Sequence, residues 1–205
     1  MRVLILGASG TIGAAVAERL AGRYEILAAS RSGSLAVDLT DAESVRRLFE
    51  RVKDIHAVVC CAAGVPLAPL ETLAPEKLRQ DLSAKVFGQI EVTRCAVSSL
   101  RDGGSITLTG GTFVTALAHS AAGALANSGL EAFVASAAPE MPRGIRLNII
   151  APGWIAETLK HLGMDPAAGT PVSTVAAAYA DVIEGTHTGR TIRPGISGAH
   201  IREPD

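Results

Sequence analysis

The segment GASGTIG constrains the fold of this chain more than any other. It places Gly7, Gly10 and Gly13 between a short apolar run, RVLIL (2–6), and a stretch with helical spacing, TIGAAVAERLAG (11–22). Glycines at these positions let backbone N–H groups approach a pyrophosphate, and the N-terminus of the following helix favours its negative charge. A structural tight turn is the alternative, but the strand–turn–helix context favours a nucleotide-binding loop.

The rest of the chain alternates strands with helices. Most strand segments are continuous apolar runs, which indicates burial on both faces and a parallel sheet covered by helices. The predicted strands are 2–6, 25–30, 56–62, 104–110, 144–151 and 188–194. The predicted helices are 11–22, 41–52, one or two within 75–100, 119–138 and 172–184. We therefore expect an α/β fold, a parallel sheet with helices on both faces, in one domain over 1–205.

Composition and charge argue against several classes of partner. The net charge is −1 with scattered Lys and Arg, so we expect neither a nucleic-acid partner nor a membrane surface. The apolar run before Gly7 is too short for a signal peptide, and no stretch is long enough to span a bilayer. These features predict a cytoplasmic protein.

Cysteine and histidine usage predicts neither disulfides nor a metal site. The cysteines, Cys60, Cys61 and Cys95, form a small and odd set. The adjacent pair lies in an apolar strand and should face opposite sides of the sheet. The histidines show no paired ligand spacing; they are His56, His119, His161, His187 and His200.

The end of the second predicted strand bears on the choice of dinucleotide. A protein that binds NAD usually has Asp or Glu here to hold the ribose 2′-hydroxyl, whereas this chain has Ser30 and Arg31. A guanidinium can pair with a 2′-phosphate, and a charge-assisted hydrogen bond contributes about 1.5–3 kcal/mol. The pattern favours NADP(H), with a solvated surface arginine as the alternative. Asp38, in VDLTD, could hydrogen-bond the adenine edge or terminate a strand.

Taken together, these motifs resemble the short-chain dehydrogenase/reductase family. GASGTIG, SRS, VDLTD, CAAG (61–64), GSITLTG and NIIAPGWI (148–155) occur in the family's order and at about its spacing. The resemblance covers nearly the whole chain. It implies a single Rossmann-type doubly wound parallel sheet with helices on both faces and with NAD(P)(H) across the carboxyl ends of the strands. It implies the following contacts: Gly7, Ser9, Gly10, Thr11, Ile12 and Gly13 at the pyrophosphate; Ser30 and Arg31 at the 2′-phosphate; Asp38 and Leu39 beside the adenine; Ala62, Ala63 and Gly64 under the adenosine ribose; and Pro152, Gly153 and Ile155 at the nicotinamide.

The departures from the family pattern fall at the catalytic positions. The family's active site has a Ser, a Tyr, a Lys four residues after the Tyr, and often an Asn on a preceding helix. The phrase SGLEAF fixes the register, so the Tyr and Lys positions hold Gly123 and Asn127. The Asn position, before FGQ, holds Lys85, and the Ser position falls on Gly110 or Gly111. None of the four expected groups is present.

Lys85, Asn127 and Thr109 are the candidate catalytic residues that remain. An ammonium group at Lys85 could bind the nicotinamide ribose of the cofactor or, with its pKa lowered by burial, donate a proton. A lysine on the helix surface is the alternative, because sequence does not show which way the side chain points. The glycines at the Ser and Tyr positions predict a wider pocket floor. Other nearby polar groups, each more often structural, are Thr112, His119, Ser120 and Ser128; Tyr179 is expected in the core or an interface.

The missing tyrosine weakens a redox hypothesis without eliminating it. Losing a positioned general acid costs about 10²–10⁴ in rate, whereas proximity and orientation can supply about 7–11 kcal/mol. We therefore expect an NADP(H)-dependent oxidoreductase with a non-standard site, acting on a small carbonyl, enone or imine substrate. The alternatives are a catalytically silent NADP-binding sensor or scaffold and a non-redox lyase or isomerase on the same fold. The resemblance also implies self-association, as a dimer or tetramer, through the helices at 82–99 and 115–138.

Overall fold

A seven-stranded parallel sheet lies between two layers of helices in the computed structural model, which describes residues 1–62 and 64–196. The strands are β1 (Arg2–Leu6), β2 (Glu25–Ser30), β3 (Leu35–Ala36), β4 (Ile55–Cys60), β5 (Leu100–Thr109), β6 (Arg146–Ile150) and β7 (Thr191–Ile192). The helices are α1 (Thr11–Leu20), α2 (Ala42–Arg51), α3 (Pro75–Leu82), α4 (Gly88–Ala96), α5 (Ala121–Ala137), α6 (Ala156–His161) and α7 (Val172–Glu184). The sheet order is β3-β2-β1-β4-β5-β6-β7, which confirms the doubly wound α/β fold.

Alternate residues of β1 point into two separate cores. Leu4 and Leu6 belong to the core that includes residues of α2, α4 and α5. Val3 and Ile5 belong to the core that includes residues of α1 and α7. All four side chains are fully buried. Because both faces of the strand are covered, it reads as a continuous apolar run rather than an alternating one.

Most elements lie where the sequence predicts them, and the differences are mainly at their ends. The strand predicted over 104–110 begins earlier, at Leu100, and the one predicted over 188–194 contracts to Thr191–Ile192. The two-residue strand β3 is absent from the sequence prediction, because so short a segment carries no hydrophobic period.

The segment between residues 75 and 100 consists of two helices joined by a π-helical turn. α3 ends at Leu82, the turn covers Ser83–Phe87, and α4 begins at Gly88. Such turns frequently occur at functional sites. Here Lys85, at the centre of the turn, is buried, whereas Phe87 is 62% exposed. The turn therefore places a charged side chain inside the protein and an aromatic one outside.

The sheet also separates the two adjacent cysteines, as predicted. Cys60 belongs to one core and Cys61 packs against the other, and both are free thiols, as is Cys95. The described residues contain no group of three or more His, Cys, Asp or Glu side chains that could hold a metal ion. Over the same part of the chain, no helix combines the length and the apolar character needed to cross a bilayer.

Candidate active site

Two adjoining cavities lie along the carboxyl ends of the strands. The outer cavity, about 420 Å³, is lined by the loops after β1, β2, β3 and β4. The inner cavity, about 510 Å³, is lined by the loops after β4, β5 and β6 and by the π-helical turn. Cys61 and Gly64 border both, so the cavities form one groove across the point where the strand order reverses. Open α/β sheets bind their ligands at this point.

The glycine-rich loop leaves no room for side chains where a pyrophosphate would approach. Gly7 has φ +81°, and a Cβ atom there would lie 2.9 Å from the Ala62 N. A Cβ atom on Gly13 would lie 2.2 Å from the Gly7 O. α1 has neither a side-chain cap nor an acidic residue in its first turn. Its free N–H groups and positive end therefore remain available to an anion.

Most of the predicted cofactor residues line the groove. In the outer cavity these are Gly7, Ser9, Gly10, Ser30, Arg31, Asp38, Leu39, Ala62 and Gly64. In the inner cavity they are Ile12, Gly64, Lys85, Pro152, Gly153 and Ile155. Thr11 and Gly13 belong to α1 and line neither cavity, and Ala63 lies outside the described residues.

Arg31 presents an unpaired guanidinium group to the outer cavity. The side chain is exposed and has no hydrogen bond or salt bridge to a described residue. Its neighbours are already engaged: the Ser30 hydroxyl donates to the Ser32 O, and the Asp38 carboxylate accepts from Thr40 N at 2.9 Å and Oγ1 at 2.8 Å. The Thr40 hydrogen bonds, and to a smaller extent the charge of Arg31, lower the pKa of Asp38. Among the described residues that line the outer cavity, Arg31 is the one cationic side chain, and it remains free to bind an anion.

Lys85 is the one charged side chain among the described residues that line the inner cavity. It is 5% exposed, and its Nζ donates hydrogen bonds to the Thr109 O at 2.8 Å and the Gly110 O at 3.1 Å. This placement excludes a lysine on the helix surface. Burial lowers the pKa of Lys85 to about 8. Because an ammonium group has three N–H donors, one remains for a group in the cavity.

Gln89, in the first turn of α4, fixes the positions of Lys85 and Thr109 by hydrogen bonds. Its Nε2 donates to the Lys85 O at 2.9 Å and the Thr109 O at 3.0 Å, and its Oε1 accepts from the Thr109 N at 2.9 Å. The residue is fully buried. Sequence reasoning did not single it out; the available signal was a polar residue four places after Lys85, on the same helix face.

Thr109, a predicted catalytic candidate, uses its hydroxyl group inside the protein. The hydroxyl donates to the Cys60 O and contacts the Tyr179 hydroxyl. Tyr179 is completely buried in the core, and burial raises its pKa well above the ordinary value. It lines neither cavity, so it does not stand in for the missing tyrosine. These contacts favour a structural role for both side chains.

The pocket floor is not widened at the glycines that replace larger groups, because neighbouring side chains occupy the space. Added Cβ atoms would meet Ile149 at Gly110 (3.0 Å), Asn127 at Gly111 (2.9 Å) and Phe113 at Gly123 (3.3 Å). The expectation of a wider floor is therefore wrong, since it counted only the lost side chains and not the ones that fill their places.

Asn127 is the other catalytic candidate that reaches the inner cavity. The residue is half-buried on α5, lines the cavity, and has no hydrogen-bond partner for its carboxamide among the described residues. The amide group can therefore donate to and accept from a bound molecule.

The remaining polar groups near the cavity are engaged within the protein or face solvent. The Thr112 hydroxyl donates to the Ala151 O at 2.8 Å, and the Ser120 hydroxyl to the Leu117 O at 2.7 Å. His119 and Ser128 are exposed. Among the described residues, the polar side chains left for chemistry in the inner cavity are Lys85 and Asn127.

The chain is similar to known proteins over the segments that line the outer and inner cavities. Residues 5–178 match a family model described as enoyl-(acyl carrier protein) reductase. A curated relative, the 3-oxoacyl-[acyl-carrier-protein] reductase MabA of Mycobacterium avium, is 29% identical over 169 residues, which are 75% of this chain and 66% of that protein. The chain spans between 53% and 66% of the length of the curated relatives it matches.

Solved structures share the architecture. The protein lin1944 of Listeria innocua is 37% identical, with a TM-score of 0.89 over 94% of this chain and 98% of that one. A small-chain dehydrogenase in complex with NADPH has a TM-score of 0.83 at 24% identity, over 94% of this chain and 95% of that one. At this lower identity the likeness shows the fold alone.

Proposed function

Because this chain belongs to the short-chain dehydrogenase/reductase family, we propose that it is an NADP(H)-dependent oxidoreductase in which Lys85 is the proton donor. The proposed substrate is a small carbonyl, enone or imine. The observation that carries the proposal is a buried lysine amine in the inner cavity, held by two backbone carbonyls with one N–H left over.

The groove suits a phosphorylated dinucleotide along its length. The N-terminus of α1 offers free N–H groups to the pyrophosphate, and Arg31 offers a guanidinium group to the 2′-phosphate. Pro152, Gly153 and Ile155 border the inner cavity, where the nicotinamide end would lie. When bound, NADPH supplies the hydride for reduction. The predicted cofactor residues that line the outer and inner cavities would hold the dinucleotide.

Lys85 supplies the proton that reduction requires. Its ammonium group keeps its hydrogen bonds to the Thr109 and Gly110 carbonyls while the third proton is transferred, so the amine stays in position as it loses its charge. A pKa of about 8 leaves the group mostly protonated at pH 7 and close enough to that pH for efficient proton transfer. The positive charge also stabilises negative charge that develops on the substrate.

Asn127 supplies the second polar contact, from α5. Compared with the family pattern, the amine and the amide have exchanged helices: the amine now comes from the turn before α4, and the amide from α5. We assign the Asn127 carboxamide to the hydroxyl groups of the nicotinamide ribose, the role that the family gives to a lysine at this position. An amide binds hydroxyl groups without placing a second positive charge beside Lys85.

Consumption of NADPH by the purified protein tests the proposed function. With a panel of aldehydes, ketones, enones and cyclic imines, we expect a substrate-dependent loss of the nicotinamide absorbance band and an equal amount of reduced product. Cofactor binding without turnover across the panel would instead indicate a sensor or scaffold. Turnover with unchanged nicotinamide absorbance would indicate a lyase or isomerase. Either of these results would overturn the proposal.

We also propose that the protein self-associates through α4 and α5. Phe87, beside the start of α4, and Leu125, on α5, are large apolar side chains that are more than half exposed. Covering them with a second copy of the chain would remove this apolar surface from water.

A further inference from the structure

The buried amine of Lys85 is held by uncharged groups alone. Its Nζ donates to the Thr109 O at 2.8 Å and to the Gly110 O at 3.1 Å. None of the described residues that line the inner cavity is Asp or Glu, so no carboxylate in this lining stabilises the ammonium form. Burial without a counter-ion favours the neutral amine. A lysine desolvated in this way is activated as a nucleophile.

The neutral amine can keep both of its contacts while its lone pair becomes free. A neutral amino group has two N–H donors, which matches the two carbonyl oxygens that the Lys85 Nζ contacts. The remaining position around the tetrahedral nitrogen, which the third proton occupies in the ammonium form, then holds the lone pair. Because Lys85 lines the inner cavity, a carbonyl carbon bound there can approach this lone pair.

The titratable neighbours of Lys85 do not hold the third proton in place. Among the described residues, the groups whose charge would act on this amine are the thiols of Cys60 and Cys61. Burial raises the pKa of Cys60 to about 11 and that of Cys61 to about 12, so both thiols stay uncharged at pH 7–8. With a pKa of about 8, the Lys85 amine is about one-tenth neutral at pH 7 and about half neutral at pH 8.

We propose that the neutral amine of Lys85 captures small, uncharged aldehydes as a covalent imine in the inner cavity. The Nζ lone pair forms a bond to the carbonyl carbon, and the π pair of the C=O bond moves to the oxygen. One N–H proton then moves to this oxygen, which leaves as water after it takes a second proton from solvent. The product is a protonated imine, and its formation requires neither an oxidant nor a reductant. The inference requires an accessible amine and does not depend on the proposed reduction.

The hydrogen bonds around Lys85 tolerate the loss of one of its N–H donors. The protonated imine keeps one N–H, which can stay on the Gly110 O. The Thr109 O still accepts from the Gln89 Nε2 at 3.0 Å. The imine therefore forms without leaving either carbonyl oxygen unpaired, a defect that would otherwise oppose its formation.

Reductive trapping of the purified protein, without added dinucleotide, tests this proposal. The protein is equilibrated with propanal at pH 8, and borohydride then converts each imine into a stable propylamine. Peptide mapping by mass spectrometry gives the modified fraction of each lysine; the exposed Lys53, Lys77 and Lys160 are the internal references. A lysine amine with the ordinary pKa of about 10.4 is less than about 1% neutral at pH 8. We therefore expect Lys85 to be modified at least about tenfold more than each reference at low conversion.

Unfolding and substitution show whether the cavity is responsible. In guanidinium chloride at a denaturing concentration, the ratio of Lys85 to reference labelling should fall to about one, because every lysine is then exposed. In the native protein, Lys85→Arg should remove the main propyl adduct from the intact mass spectrum. Lys53→Arg, the matched control at an exposed lysine, should retain this adduct.

A native labelling ratio near one, or a high ratio that persists in the unfolded chain, would overturn the proposal. The trapping experiment also separates this inference from the proposed function. If propanal is trapped on Lys85 but the carbonyl and imine panel leaves NADPH unconsumed, the proposed function fails and the imine site stands. If the panel is reduced while Lys85 is labelled no more than the exposed lysines, the imine site fails and the proposed function stands.

Discussion

Lys85→Met is expected to lower kcat/KM for NADPH-dependent reduction by about 10²–10⁴, the typical loss for a positioned general acid. Methionine suits a buried site, and Gln89 keeps its own hydrogen bonds to Thr109, so the cavity should keep its shape. Methionine removes the cost of keeping a buried amine charged at pH 7, but it leaves the Gly110 O without the donor that it has in the wild type. The free energy of unfolding should therefore change by no more than about 1–3 kcal/mol. Steady-state kinetics, NADPH titration and chemical denaturation together check this result.

A matched control is Lys53→Met, at an exposed lysine before the amino end of β4, away from the groove. It should keep wild-type kinetics. Comparable kcat/KM values for Lys85→Met and the wild type would remove Lys85 from the reaction.

The same residue sets the pH dependence of reduction. Only the protonated amine donates, so the wild-type rate should be level below the pKa of about 8 and fall as the pH rises through it. Lys85→Arg keeps the positive charge, but its guanidinium does not release a proton in this range. We expect this variant to be slow and to show no inflection near pH 8. A fast Lys85→Arg variant would mean that charge, and not proton transfer, is the contribution of Lys85.

Gly13→Ala is expected to weaken NADPH binding by more than about a hundredfold. The new Cβ would lie 2.2 Å from the Gly7 O, a backbone atom that cannot move without displacing the phosphate loop. Each charge-assisted hydrogen bond lost from a displaced loop costs about 1.5–3 kcal/mol, so two lost bonds suffice for this effect. Overpacking should also lower the free energy of unfolding by about 1–3 kcal/mol. Fluorescence titration and chemical denaturation measure the two effects.

Gly129→Ala is the matched control for a methyl group added to a helical glycine. No atom lies within 4 Å of the new Cβ on α5. We expect a gain in stability of about 0.5–1 kcal/mol and unchanged NADPH affinity. If Gly13→Ala binds NADPH as tightly as this control does, the loop before α1 is not the pyrophosphate site.

The sheet and the outer cavity could be predicted from sequence because both depend on local patterns. An apolar run such as that of β1 predicts a strand buried on both faces, and the spacing of Gly7, Gly10 and Gly13 predicts the turn that follows it. Arg31 is recognisable because it comes directly after the end of β2. The short strand β3 escapes such reasoning, because its pairing with β2 and not its own composition defines it.

The inner cavity could be predicted only in part, because its geometry depends on contacts between distant segments. The sequence identifies Lys85 and Asn127 as candidates, but the π-helical turn and Gln89 decide that the lysine points inwards. For the pocket floor, the prediction from the sequence is wrong. Its glycines suggest empty space, yet Phe113 and Asn127, which come from other parts of the chain, occupy it.

Equilibrium titration of the wild type with NADPH and with NADH, followed by nicotinamide fluorescence, tests whether the groove binds NADPH through the glycine loop and Arg31. Arg31→Ala serves as the comparison, because the guanidinium is exposed and its loss should leave the fold intact. We expect micromolar binding of NADPH, at least about tenfold tighter than that of NADH, and a ratio near one in the variant. Binding of neither dinucleotide to the wild type, or an NADPH preference that Arg31→Ala leaves unchanged, would contradict binding through the glycine loop and Arg31.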